Sequence, residues 1–248
     1  MKSLFFRLIN FINRIASYFQ GKGYGTASIS QEIKLALRLL NKKPTLAIDI
    51  GANIGDYSTE LLRRNPSILI HMFEPSATNF QKLLLKFANK ENIKVLPFAV
   101  SDKPGLATLF SNEAGSVLSS LTKRRLDHFN ITFDVKESVR TIAFEDYWIK
   151  NLNKSQIDIV KIDIEGHELS ALKGFGKAIF STHIIEFEFG GCNIDTRTYF
   201  QDFYYFFTEH NFKIFRITPF GIEYINRYKE SDEYFSTTNY IAVNQSLI

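Results

Sequence analysis

TLAIDIGANIGDYSTELLRR, residues 45–64, is the stretch on which the fold turns. Residues 45–50 form a short apolar run that stops at Gly51, and 57–64 carry apolar side chains at helical spacing, so the segment reads as strand, glycine loop and helix. Downstream the same unit recurs. Residues 67–73 are a second apolar run, followed by Glu74-Pro75 and a helix that buries Phe80, Leu83, Leu84 and Phe87; 93–100 are a third strand, closed by Ser101-Asp102. Residues 157–164 are a strongly apolar strand with a helix behind it over 168–175, and 182–189 are another, ending at Gly190-Gly191. An aromatic-rich helix is predicted over 197–210, a strand over 212–217, and a last strand over 240–244 after a long loop.

Strands and helices alternating at these lengths imply an α/β, Rossmann-like domain with a mostly parallel sheet covered by helices on both faces. Ligands of such sheets bind beyond the carboxyl ends of the strands. Residues 103–143 break the rhythm: 106–110 and 138–142 read as short strands, the polar stretch between them as a loop or lid, and 144–149 as a short helix.

Upstream, 30–41 reads as a helix capped by Ser30 and ended by Pro44, and residues 21–25 as a glycine-rich link. Residues 1–20 place Leu4, Phe5, Leu8, Ile9, Phe11, Ile12, Ile15, Ala16, Tyr18 and Phe19 on one half of a helical wheel, opposite Lys2, Arg7, Asn10, Asn13, Arg14 and Ser17. Arg7 and Arg14 interrupt any run of the roughly 20 apolar residues that a bilayer span needs. Two readings stay open for this amphipathic helix: contact with an anionic membrane surface, or docking on its own domain or a second subunit. The chain therefore divides into an N-terminal helical extension, 1–43, and a domain over 44–248, located in the cytoplasm or at the inner face of its membrane.

The charge is uneven. Residues 1–43 hold eight Lys/Arg against Glu32 alone, whereas the remainder holds 22 against 25 acids. A slightly acidic domain argues against nucleic acid as a partner, which would want a basic face near the site. The run Lys123-Arg124-Arg125 reads as a solvated loop face. Cys192 is the single cysteine, which excludes an intrachain disulfide and a paired-cysteine metal site.

The glycine loop, Asp49-Ile50-Gly51-Ala52-Asn53-Ile54-Gly55-Asp56, meets a strand end and a helix start, the place for a nucleotide-type ligand. A dinucleotide fingerprint needs a middle glycine for the pyrophosphate, and Ala52-Asn53 fill that place. S-adenosylmethionine has no phosphate. Asp49 is positioned to receive its ammonium, backbone N–H groups around Gly51, Asn53 and Gly55 its carboxylate, and Glu74 both ribose hydroxyls; Asp102 lies toward the adenine edge or serves a turn. The densest chemistry is Lys161-Ile162-Asp163-Ile164-Glu165-Gly166-His167-Glu168, three carboxylates and an imidazole within six residues. His167 could take a proton from an attacking hydroxyl or merely finish a turn. Asp163 or Glu165 could orient that hydroxyl, act as the base, or hold a divalent cation. Glu188, Asn193 and Arg197 are candidates for the acceptor side.

Taken in order, AIDIGANIGDYS (47–58), FEPSATNFQKL (73–83), TIAFEDYW (141–148), DIVKIDIEGHELSALKGF (158–175) and EFEFGG (186–191) resemble the FkbM-type family of S-adenosylmethionine-dependent methyltransferases. The resemblance covers residues 44–245 and leaves the N-terminal helix unexplained. It implies a class I methyltransferase fold of seven strands with the last antiparallel, S-adenosylmethionine as cofactor, and transfer to an oxygen of a sugar, glycan, glycolipid or other small molecule. It places the family's ribose-binding acid at Glu74 and its strand-four acid at Asp163. Two rival readings are a membrane-attached interaction module on a degenerate fold and a nicotinamide-dependent oxidoreductase; an oligomer is compatible with all three. The acceptor itself is set by loops over 112–137 and 190–197, where pattern carries little.

Overall fold

The computed structural model describes residues 2–25 and 29–247. Helices α1 (Lys2–Phe19) and α2 (Ile29–Leu40) lead into β1 (Leu46–Ile50), α3 (Asp56–Arg64), β2 (Leu69–Phe73), α4 (Ala77–Lys86) and β3 (Ile93–Leu96). Next come β4 (Ala99–Val100), β5 (Gly105–Ser111), β6 (Val135–Ile142), α5 (Phe144–Asn151), β7 (Ile157–Ile162), α6 (Glu168–Lys173) and β8 (Thr182–Phe189). The chain closes with α7 (Cys192–Thr196), α8 (Phe200–Glu209), β9 (Phe212–Thr218), β10 (Gly221–Tyr224) and β11 (Thr238–Asn244).

The main sheet has eight strands in the order β10-β9-β11-β8-β7-β1-β2-β3. From β3 to β8 all neighbours are parallel, while β11, last in the sequence, inserts antiparallel between β8 and β9. Parallel core and antiparallel last strand match expectation; the count of seven does not. The eighth strand, β10, pairs antiparallel with β9 at the edge. Its residues are half-buried or exposed, so no alternation marked it. The strand expected over 93–100 also divides, because Pro97 has no N–H to give the ladder. β3 stays with β2, whereas β4 pairs with β6, and β6 with β5, in a separate three-stranded sheet.

Two helix boundaries differ as well. α2 begins at Ile29, so Ser30 lies inside its first turn, and the Ser30 hydroxyl and carbonyl accept from Arg64 Nη2 at 2.7 and 2.9 Å. The helix expected over 197–210 is α8 and starts later, at Phe200; a separate short helix, α7, precedes it and is capped by Arg197 in the left-handed region (φ 54°).

Both faces of the sheet are covered. On one, Ile48, Ile50, Ile162 and Phe187 pack against Phe144 of α5, Leu172 of α6 and Phe203 of α8. On the other, Ala47, Met72, Ile159 and Ile184 pack against Ile33 and Ala36 of α2, Leu61 of α3 and Leu83 of α4. Each large apolar side chain so buried contributes roughly 1.5–3 kcal/mol. The extension expected over 1–43 thus includes a helix, α2, that is part of this core. α1 contrasts with it: Leu4, Phe5, Phe6, Leu8, Ile9, Phe11, Ile12 and Ile15 are 42–73% exposed. At the C-terminal end of α1 the helix docks, where Tyr18 meets Tyr24 edge-on and Phe19 stacks on Phe220. Among the described residues no helix is long and apolar enough to cross a membrane.

Candidate functional site

A cavity of about 300 Å³ opens beyond the carboxyl ends of β1, β2, β7 and β8. It lies where parallel strand ends leave N–H groups and side chains facing solvent, and the small sheet walls its far side. Gly51, Asn53, Glu74, Asp163, Glu165, His167 and Glu188 all line it.

The glycine loop is shaped by two backbone constraints. Gly51 has φ +83°, and a Cβ there would stand 1.9 Å from the Asp163 carbonyl oxygen, so only glycine lets β1 and β7 close together at this level. Gly55 (φ +79°) serves packing instead: a Cβ would meet Phe87 and Leu83 of the α4 region at 2.7 and 2.8 Å. It is not among the cavity residues. Asp49 also faces away. On β1 its neighbours Ile48 and Ile50 point to the α5–α6 face, so Asp49 points to the other, where the Ser58 hydroxyl donates to it at 2.6 Å. It is 2% exposed, and burial pushes its carboxyl up to about 6. The ammonium contact expected of Asp49 is therefore not provided by this arrangement.

Glu74 sits at the end of β2, 5% exposed, with one carboxylate oxygen accepting the Asn53 N–H at 2.8 Å and the other the Ser76 N–H at 2.9 Å. Each oxygen keeps a further lone pair. Two backbone donors hold the carboxylate so that both free lone pairs remain for a vicinal diol. Burial pushes this carboxyl up to about 7, against the two N–H bonds that favour its charged form. A diol donates better to the ionised group, so the affinity for S-adenosylhomocysteine is expected to fall as pH drops below about 7, read by calorimetry across that range. For folding the sign is opposite, since protonation relieves a buried charge. Asn79, which sequence pattern did not single out, is 1% exposed and donates to Asn53 Oδ1 at 2.9 Å and to the Gly115 carbonyl at 3.2 Å, tying α4 to the loop.

At the end of β7 the acids divide by role. The Asp163 side chain is 39% exposed, and Lys161 Nζ approaches it at 3.5 Å and Glu32 of α2 at 3.5 Å from the opposite side. Burial works to lower the Lys161 pKa, but Asp163, Glu32, Glu186 and Glu188 outweigh it and raise it. Glu165 is paired with Arg124, whose Nε also lies 3.7 Å from Asp195, and its carbonyl accepts from Ser120 Oγ at 2.8 Å. Burial lifts the Glu165 carboxyl to about 7 while Arg124 opposes it. Lys123 and Arg125 are solvated as expected, but Arg124 is not: its side chain is 9% exposed and pins the 112–134 segment over the cavity as a lid. Glu168, fully buried, accepts the Ile164 and Gly166 N–H groups, both at 3.0 Å, and so shapes the turn.

His167 Nε2 lies 3.2 Å from Ser101 Oγ, and burial holds the imidazole below its usual pKa, with Asp102 opposing. It is thus neutral at physiological pH and able to accept a proton. Asp102 is exposed and bonded to the Ser101 and Ser170 hydroxyls at 3.1 and 3.2 Å, outside the cavity. Asn193 is spent internally, accepting the Gly190 N–H and donating to Thr198 Oγ1, each at 2.8 Å. Arg197 is exposed and does not line the cavity. Of the three acceptor-side candidates only Glu188 does, its carboxyl raised by burial and by Asp163 and Glu165.

The one group among the described residues with metal-ligand spacing is Glu165, Glu188 and Cys192, not the pair Asp163 and Glu165. Its donors suit a hard cation poorly: the thiol pKa is raised by burial, and Glu165 already faces Arg124.

Residues 49–214 match the family model of the methyltransferase FkbM domain. The chain belongs to the FkbM methyltransferase family. Together with the strand order, this makes it an S-adenosylmethionine-dependent methyltransferase of Rossmann-like, class I architecture. It is 24% identical over 191 residues to the 2-O-methyltransferase NoeI of Sinorhizobium fredii, covering 73% of this chain and 78% of that protein. To the methyltransferase sdnD of Sordaria araneosa it is 26% identical over 152 residues, covering 51% and 59%. The plantazolicin methyltransferase BpumL, solved in complex with SAH, aligns over 95% of this chain and 90% of its own at 9% identity and a TM-score of 0.46.

Proposed function

We propose that this methyltransferase acts on a hydroxyl oxygen of a sugar, glycan or glycolipid, with His167 receiving the proton. The observation that carries the reading is the His167 imidazole in the same cavity as the paired-donor carboxylate of Glu74, with burial holding its pKa below the usual value. S-adenosylmethionine, when bound, supplies a methyl group on a sulfonium. Glu74 fits its ribose, the Gly51–Asn53 backbone its amino-acid end, and the apolar wall of Phe98, Val100, Leu109 and Leu121 its base. Asp163, oriented by Lys161, accepts a hydrogen bond from the acceptor, and the Arg124-pinned lid keeps water from the reacting atoms. The lining holds Glu74, Asp163, Glu165 and Glu188 and no Lys or Arg. Such a mouth suits a neutral polyhydroxyl and repels phosphate-rich acceptors, nucleic acid included. The name of NoeI, a 2-O-methyltransferase, supports oxygen as the acceptor. The exposed face of α1 supports peripheral membrane contact, which favours a glycolipid or a membrane-bound glycan.

His167→Asn is expected to lower kcat about 10²-fold or more with S-adenosylhomocysteine affinity unchanged, the contribution usual for a general base. The wild-type rate should fall on the acid side with a midpoint below the ordinary ~6.5 of histidine, because burial lowers this pKa. An unchanged acid limb in the variant would remove His167 from the proton path.

A further inference from the structure

A second concavity, of about 720 Å³, lies between α2 and the β9–β10 turn and shares no lining residue with the cavity that holds Glu74 and His167. Lys34, Arg38 and Arg64 line it together with Pro219 and Phe220. Arg64 is engaged by Glu60 and Ser30. Lys34 and Arg38 are exposed and form no ion pair among the described residues. Phe220, 80% exposed, also stacks on Phe19 at the base of α1, with ring centroids 5.5 Å apart. The cationic groove and the apolar helix are therefore continuous at one aromatic contact.

Along the N-terminal segment the charge is of one sign, while at the groove Glu60 engages Arg64 and leaves Lys34 and Arg38 uncompensated. Residues 1–31 contain Lys2, Arg7, Arg14 and Lys22 and no acid; the first, Glu32, is 3% exposed and turned inward to Lys161 and Asn239. Arg7 and Arg14 also form no ion pair. A protein partner would cover the apolar face of α1 without calling for an acid-free segment that carries four cations. A bilayer with anionic headgroups calls for both parts: an in-plane helix burying Phe5, Phe11 and Ile12 at the acyl boundary, and cations at headgroup depth beside it.

We infer that α1 and the Lys34–Arg38–Arg64 groove form a two-part anchor, the groove holding a phosphate of an anionic lipid headgroup while α1 lies in the bilayer interface. This rests on the peripheral membrane contact included in the reading above, and adds to it a site and a lipid class. Neither part touches the catalytic cavity.

The test is co-sedimentation of the full chain with vesicles of phosphatidylcholine alone or mixed with phosphatidylglycerol. The wild type is expected to favour the mixed vesicles and to lose that preference as salt rises. Lys34→Gln/Arg38→Gln should weaken binding to mixed vesicles roughly 25-fold, about fivefold for each charge removed, with binding to phosphatidylcholine unchanged. Phe11→Glu/Ile12→Glu, at two exposed positions that leave the core intact, should abolish both. The inference is overturned if the wild type ignores phosphatidylglycerol, or if the groove variant binds mixed vesicles as the wild type does. It is also overturned by a lipid-free dimer that Phe11→Glu/Ile12→Glu dissociates, which would give the face to a second copy. S-adenosylhomocysteine affinity should stay at the wild-type value in every variant. Failure of the methyl-transfer reading would show in that titration and not in the pellet.

Discussion

Glu74→Gln is expected to weaken S-adenosylhomocysteine binding by about 3 kcal/mol, roughly a hundredfold in Kd. The carboxylate holds two N–H groups, from Asn53 and Ser76, and offers its remaining lone pairs to a diol. An amide keeps one oxygen; its NH2 group then confronts a backbone N–H and can accept nothing from the ligand. Stability should change little, because the amide removes a buried carboxyl whose charged form is disfavoured, as its rise to about 7 shows. Calorimetry paired with a ligand-free thermal melt separates the two effects. The fall in affinity below about pH 7 should vanish in the variant as well. Equal loss of affinity and Tm would instead make Glu74 a loop brace.

Gly51→Ala should act through the fold. Its φ of +83° costs an L-residue about 1–3 kcal/mol. The added Cβ, 1.9 Å from the Asp163 carbonyl, must also push β1 and β7 apart, a further ~1–3 kcal/mol of overpacking. Against a typical total of about 5–15 kcal/mol, the chain is expected to melt many degrees lower or to fail to accumulate. Because the displaced backbone carries both Asn53 and Asp163, any folded fraction should bind cofactor poorly. Gly115→Ala is the contrast: Gly115 also has positive φ, but the closest atom to its added Cβ is the Asn79 side-chain oxygen, at the lid rather than between strands. A Gly51→Ala chain with wild-type Tm would contradict the close approach of β1 and β7.

What the sequence made legible was local. Strand, glycine loop and helix over 45–64, and the Asp163–Glu168 cluster, follow from periodicity and from polar residues where a core would reject them. Asp49 was misjudged for a geometric reason: alternation along β1 sends it to the α3 face, and nothing nearby in sequence announced that Ser58 would meet it. Of the two readings open for Asp102, the structure shows it bonded to Ser101 and to Ser170 of α6, and Asn193 is consumed by Gly190 and Thr198 beside it. Lys161 finds its second partner in Glu32, on a helix that sequence pattern set outside the domain. Arg124 looked like one of three solvated cations; only the folding of the lid back onto Glu165 and Asp195 distinguishes it from Lys123 and Arg125. Pro97 was a readable break in the strand over 93–100, whereas β10, an exposed edge strand, offered no apolar signal.

The charges near the site share one arrangement. Asp49, Glu74, Glu165, Glu168 and Glu186 are all pushed above the ordinary carboxyl range by burial, with the buried Lys161 opposing the rise at Asp49 and Glu186 and Arg124 opposing it at Glu165. Of these, only Glu74 and Glu165 line the cavity, where the desolvation cost is carried by groups that accept hydrogen bonds.

The account is tested most directly by incubating the full chain with S-adenosylmethionine carrying a carbon-13 methyl group and a panel of glycans and glycolipids. Methylated products are then examined by NMR before and after mild alkali. The expected result is a methoxy carbon on a sugar, stable to alkali as an ether is, and formed about 10²-fold more slowly with His167→Asn. A label that alkali removes, or one that resonates as an N-methyl carbon, would contradict methylation of a sugar hydroxyl.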